Sequence, residues 1–67
     1  MIMFKERLKE LRKEKMLSQD DFAKIINVSQ RSISSWEKGS REPGFEVLAQ
    51  IAKYFDVTTD YLLGLEK

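Results

Sequence analysis

Apolar residues recur along this chain at helical spacing, in short blocks separated by polar turns. Phe4, Leu8 and Leu11 stand at i, i+4 and i+7, which predicts a first helix from about Phe4 to Lys15 with one narrow apolar stripe. Phe22, Ala23, Ile25 and Ile26 fall largely on one side of a second helix, and Ile33 with Trp36 marks the inner side of a third. Phe45, Leu48, Ile51, Ala52 and Phe55, widened by Val47 and Tyr54, predict the core-facing side of a fourth helix that starts after Pro43-Gly44. A last short helix opens at Thr58 and ends at Gly64. The expected fold class is all-α.

The punctuation between these blocks is as specific as the blocks themselves. Ser18 stands where a side chain can cap the second helix, with Asp21 three residues on, the spacing of a capping box with Asp in place of Glu or Gln. Asn27 is suited to the left-handed conformation that ends a helix. Ser29 can cap the third helix and Gly39 can terminate it. Leu17 with Phe22, Val28 with Ile33, and Val57 with Leu62 each pair a residue before a cap with one at the fourth helical position. That is the hydrophobic staple, which sets how a chain turns into a helix. Two capped helices around one Asn-centred turn, over about residues 18–38, make a helix-turn-helix.

The outer face of the third helix carries the candidate chemistry. Opposite Ile33 and Trp36 lie Arg31, Ser34, Ser35 and Lys38, with Gln30 on the flank at the helix start. Gln and Arg hydrogen-bond base edges bidentately in the major groove, and Ser can donate or accept. The first turn of such a helix is where it meets bases. Taken alone, the same face also reads as the solvated side of an ordinary small bundle.

The wider pattern separates the two readings. The run S-Q-x-x-F-A-x-x-I-x-V-S-Q-x-x-I-S-S-W-E-x-G resembles the DNA-binding domain of the phage repressor and Cro family of helix-turn-helix regulators. Arg7-Leu8-Lys9-Glu10-Leu11-Arg12 is similar to that family's first helix, and Pro43 to Gly64 to its fourth and fifth. The resemblance implies a compact five-helix, lambda-repressor-like domain. It implies base reading by Gln30, Arg31, Ser34 and Ser35, and phosphate contacts from Gln19, Lys38, Ser40 and Arg41. It further implies a hydrogen bond from Gln19 to Gln30. An ion pair between Arg12 and Glu37 would then support the recognition helix, together with the inward Trp36. The helical wheel agrees in part, since Glu37 lies beside the Ile33–Trp36 side. The chain departs from the family at Asn27, where Gly is usual, and at Asp20-Asp21, which suit a helix start but cannot bind phosphate.

Composition adds mainly exclusions. The 67 residues read as one domain over 1–67, with neither cysteine nor histidine. Disulfides and thiolate metal sites are therefore out, and imidazole ligands and bases are absent. No metal, cofactor or small-molecule ligand is expected. The amino-terminal residues form no long apolar run, so no membrane role is expected and the reading is cytoplasmic. Net charge is only +1, but residues 1–41 hold ten Lys and Arg against six acids, whereas residues 42–67 hold two against five. The asymmetry suggests one face toward an anion and another region with a separate task.

An enzyme is not expected. There is no phosphate-binding Gly loop, and the adjacent Asp20 and Asp21 cannot face one site on a helix. Closer alternatives share the fold: an antitoxin, a restriction-modification controller protein, or an interaction module that has lost DNA binding. The last would carry acidic or apolar residues in place of Gln30 and Arg31. The expected function is sequence-specific double-stranded DNA binding as a repressor. The expected active form is a homodimer on a palindromic operator, joined through Tyr61, Leu62, Leu63 and Leu65.

Overall fold

Five helices follow one another in the computed structural model, which describes residues 2–66. They are α1 (Phe4–Glu14), α2 (Gln19–Ile26), α3 (Gln30–Lys38), α4 (Phe45–Phe55) and α5 (Thr59–Leu63). Their starts are set by local side-chain chemistry. Ser18 Oγ accepts the Asp21 N–H at 3.0 Å, Ser29 Oγ accepts the Ser32 N–H at 3.2 Å, and Thr58 Oγ1 accepts the Tyr61 N–H at 2.9 Å. Each bond satisfies a donor that the first turn of a helix leaves free.

The ends use left-handed residues. Asn27 has φ 61°, as the sequence suggests, and Gly39 has φ 82°. Met16 (φ 58°) and Asp56 (φ 56°) take the same conformation without being glycine or asparagine, which the sequence does not announce. At Met16 the reason is visible in the backbone: its N–H donates to the Lys13 carbonyl at 2.9 Å and that of Leu17 to the Arg12 carbonyl at 3.2 Å. Those bonds close α1 one residue earlier than the expected Lys15.

The core is built from every helix. Phe4, Leu8 and Leu11 of α1 join Phe22, Ala23 and Ile26 of α2, Ile33 and Trp36 of α3, Ile51, Ala52 and Phe55 of α4, and Leu62 of α5. The rings of Phe22 and Phe55 lie 5.3 Å apart, and Tyr54 meets Phe55 edge-on at 5.0 Å, geometries that aromatic pairs favour. α3 packs against both α1 and α2, so its inner side is fixed from two directions while its outer side stays free.

Three expectations are corrected by this packing. Phe45 is 90% exposed and takes no part in the core: as the first residue of α4 it stands more than a helical turn before the buried Ile51, Ala52 and Phe55. Ile25 is 44% exposed, at the edge of the buried face of α2 beside Phe22. Of the four residues expected to join two copies, Leu62 is fully buried, and Tyr61 and Leu63 are half-buried against the core. The Arg7 guanidinium also covers the Tyr61 ring at 4.4 Å, so only Leu65 stands well exposed. No helix among the described residues is long and apolar enough to cross a membrane.

Candidate nucleic-acid interface

The outer face of α3 is presented by a hydrogen-bonded frame that begins in α1. Arg12, buried at the end of that helix, donates from Nε to Glu37 Oε2 at 2.6 Å and from Nη2 to Glu37 Oε1 at 2.9 Å. Its third nitrogen, Nη1, donates to the Leu17 carbonyl at 2.7 Å, which ties down the turn into α2. Both side chains of the pair are nearly enclosed, at 11% and 4% exposure. The Glu37 hydrogen bond raises the Arg12 pKa above its ordinary value, against the opposing effect of desolvation. Two parallel bonds between planar groups fix orientation as well as distance.

The frame continues toward the surface. Gln19, the first residue of α2, donates from Nε2 to the same Glu37 Oε1 at 3.2 Å. Its Oε1 accepts from Gln30 Nε2 at 2.6 Å. Gln30 therefore keeps its own Oε1 acceptor and one remaining N–H for a partner outside. An acceptor beside a donor on one amide matches the N6–H and N7 edge of adenine.

Beyond Gln30, Arg31 and Lys38 are exposed, while Ser34 and Ser35 are half-buried at the base of the face. A shallow polar concavity of about 480 Å³ runs beside the helix, with Arg31 and Ser35 on one wall and Arg41 with Glu42 on the other. Ser29, Ser32, Pro43 and Gly44 also line it. The structure thus brings Gln19 to Gln30, and Arg31 to Arg41. It does not leave Ser40 free: the Ser40 N–H and hydroxyl both return to the Ser35 carbonyl, at 3.1 and 3.3 Å, closing the end of α3.

Sequence reasoning misses two features of this surface. Ser29 reads only as a cap and Ser32 carries no signal of its own, yet their hydroxyls lie 3.0 Å apart beside Arg31. The bond from Gln19 to Glu37 links the ion pair to the outward Gln30 amide, and the sequence carries only part of its signal, since it marks both residues separately. Gly39 is also closely overlaid: a Cβ built there would lie 2.9 Å from Lys5 Cδ, so Lys5 crosses the end of α3.

Comparison with known proteins sets this geometry in a family. The family described as Helix-turn-helix matches residues 8–62. The HTH-type transcriptional regulator YqaE of Bacillus subtilis is 41% identical over 61 residues, covering 91% of this chain and 53% of the relative. The HTH-type transcriptional activator BcrR of Enterococcus faecalis is 44% identical over 64 residues, covering 96% of this chain and 31% of the relative. The chain thus spans about half the length, or less, of these curated relatives. Among solved structures, the P22 c2 repressor in complex with a synthetic operator superposes with a TM-score of 0.88 at 32% identity. That match covers 98% of this chain and 100% of the other. Capped helices, left-handed turn, ion-paired frame and matched sequence agree, and the chain belongs to the helix-turn-helix family of the phage repressor and Cro type.

Proposed function

We propose that this chain binds double-stranded DNA sequence-specifically and acts as a transcriptional repressor, as a homodimer on a palindromic operator. The observation that carries the reading is the Gln19–Gln30 bond at 2.6 Å, backed by Glu37 and Arg12. A solvated polar face has no need to hold one amide rigidly outward, whereas base reading depends on such preorganisation. In this reading α3 lies in the major groove, Gln30 and Arg31 meet base edges, and Ser34 and Ser35 add shorter contacts. Gln19, Lys38, Arg41 and the Ser40 segment follow the phosphates and set register. The likeness to a repressor bound to its operator supports the same placement.

Dimerisation follows from the arithmetic of discrimination. One helix offers few base contacts, each good bidentate pair being worth about 1–3 kcal/mol. A genome offers roughly 10⁶–10⁹ competing sites. Repeating the contacts on a second half-site, about 34–36 Å along the duplex, supplies selectivity with no new chemistry.

The test is selection of bound duplexes from a random pool, followed by titration of the winner at several salt concentrations. A palindromic consensus whose affinity falls steeply with salt is expected. A pool that never converges, or binding indifferent to salt, would sink the reading.

A further inference from the structure

Lys5 belongs to α1, outside the helix-turn-helix, yet its side chain ends at the reading helix. It lies in the first turn of α1, where a cation opposes the helix dipole, so its charge does nothing for its own helix. Its stem instead crosses the end of α3: Cδ lies 2.9 Å and Nζ 3.6 Å from where a Cβ on Gly39 would stand. The bare Gly39 backbone leaves the room through which the lysine passes. Lys5 there shares a cleft of about 180 Å³ with Trp36, Gly39, Arg41 and Glu42. We infer that Lys5 is a further contact to the DNA backbone, its ammonium pairing with a phosphodiester next to the one that Arg41 meets. The inference rests on the DNA-binding reading and extends that surface onto α1.

Three observations point to a phosphate. Trp36, Arg41 and Glu42 line both this cleft and the polar concavity beside Arg31, so the cleft opens onto the face that α3 presents. Lys5, Lys38 and Arg41, all exposed, gather at one end of α3. The ion pairs among the described residues are Arg12–Glu37 and Lys24–Asp20, which leaves all three cations without a carboxylate partner. Glu42 borders the cleft but pairs with none of them, so the surplus of positive charge stands. Like charges gathered on a surface repel unless an anion lies between them, and a polyanion neutralises several at once.

A purely structural role for Lys5 is the weaker account, because the end of α3 is already closed. The Gly39 N–H returns to the Trp36 carbonyl and the Ser40 N–H to that of Ser35, while Lys38 supplies the cation that a helix end favours. Lysine is a point charge on a flexible stem, so it holds a phosphate without reading a base.

The experiment takes the whole chain as wild type, as Lys5→Met, which keeps an unbranched stem without the charge, and as Lys5→Arg, which restores a charge. Anisotropy titrations use the selected palindrome, its half-site and an unrelated duplex at several salt concentrations, with melting temperatures measured alongside. Lys5→Met should weaken binding to all three duplexes by a similar factor and reduce the salt slope by about 0.9 for each bound chain. The wild-type advantage per chain should then shrink about threefold between about 50 and about 200 mM salt. Lys5→Arg should restore both affinity and slope. Among duplexes carrying one neutral methylphosphonate linkage, a single position flanking the half-site should weaken the wild type but not Lys5→Met. An unchanged slope, or a fall in melting temperature that accounts for the lost affinity, would overturn the proposal and leave Lys5 as a support for α3. A loss confined to the palindrome would also overturn it, as a contact between copies, and a loss confined to the preferred sequence would mean a base contact. If Lys5→Met is silent while the wild type binds its site, this inference alone falls; if the wild type binds no duplex, the DNA reading falls with it.

Discussion

Gln30 Nε2 donates to Gln19 Oε1 at 2.6 Å, so the first side chain of the reading helix is held by the first side chain of the helix before it. The bond spans the turn of the helix-turn-helix and makes its two helices one recognition unit. In the proposed reading, Gln19, itself half-buried, would act on bases through Gln30 without touching them.

Removal of Gln19 should therefore weaken DNA binding through Gln30 as well as through any phosphate. Gln19→Ala is expected to cost about 0.5–1.5 kcal/mol of affinity, the net worth of one hydrogen bond. In a cycle with Gln30→Ala the double variant should lose less than the sum of the singles. Additive losses measured by anisotropy would show that the two amides act independently.

Arg12 and Glu37 should show a similar coupling in stability. Truncating either partner leaves a nearly enclosed charge unmatched, which costs up to about 3–5 kcal/mol, whereas removing both leaves none. Urea titrations of the four members of the cycle measure this. A double variant as unstable as the two singles combined would rule out the pairing as the source. Because Glu37 also accepts from Gln19, Glu37→Ala should harm DNA binding more than Arg12→Ala at equal folded fraction.

Arg31 stands exposed beside the concavity that leads to Arg41. If it reads guanine, Arg31→Ala should cost about 1–3 kcal/mol at the selected site and relax the preference at one base pair. Equal weakening on every sequence would make it a phosphate contact instead.

Met16 offers a prediction independent of DNA. Its φ of 58° is strained for a side chain with a Cβ, and at 91% exposure there is little packing to lose. Met16→Gly relieves that strain at some cost in chain entropy, for a net gain of about 0.5–1 kcal/mol. The melting temperature of so small a domain should rise by about 2–8 °C. A fall would mean that the Met16 side chain contributes contacts that outweigh the strain.

Most of the fold is legible in the sequence because its signals are local. Ser18, Ser29 and Thr58 cap helices through their own hydroxyls, and Asn27 needs only its own tolerance of positive φ. Phe45 is where periodicity misleads: spacing says which residues share a side of α4, but not at which residue that side meets its neighbours. Met16 and Asp56 both end a helix in the left-handed region; Asp tolerates positive φ much as Asn does, whereas nothing in the Met side chain signals it. Arg12 and Glu37 stand 25 positions apart, beyond any helical neighbour rule, so periodicity places Glu37 at the inner side of α3 but only the family resemblance names Arg12 as its partner. Tyr61 reads as an interface residue in the sequence because nothing local reveals that Arg7, on another helix, lies over its ring.

Trp36 is the chain's one tryptophan, and α3 holds it 7% exposed on the side turned away from Gln30 and Arg31. Its indole is thus a built-in fluorescent gauge of whether the reading helix is seated. Emission should be blue-shifted while α3 rests on α1 and shift to the red when that contact opens. Since Trp36 also lines the concavity beside Arg31, the same signal should respond if a duplex closes over that face, without any attached dye.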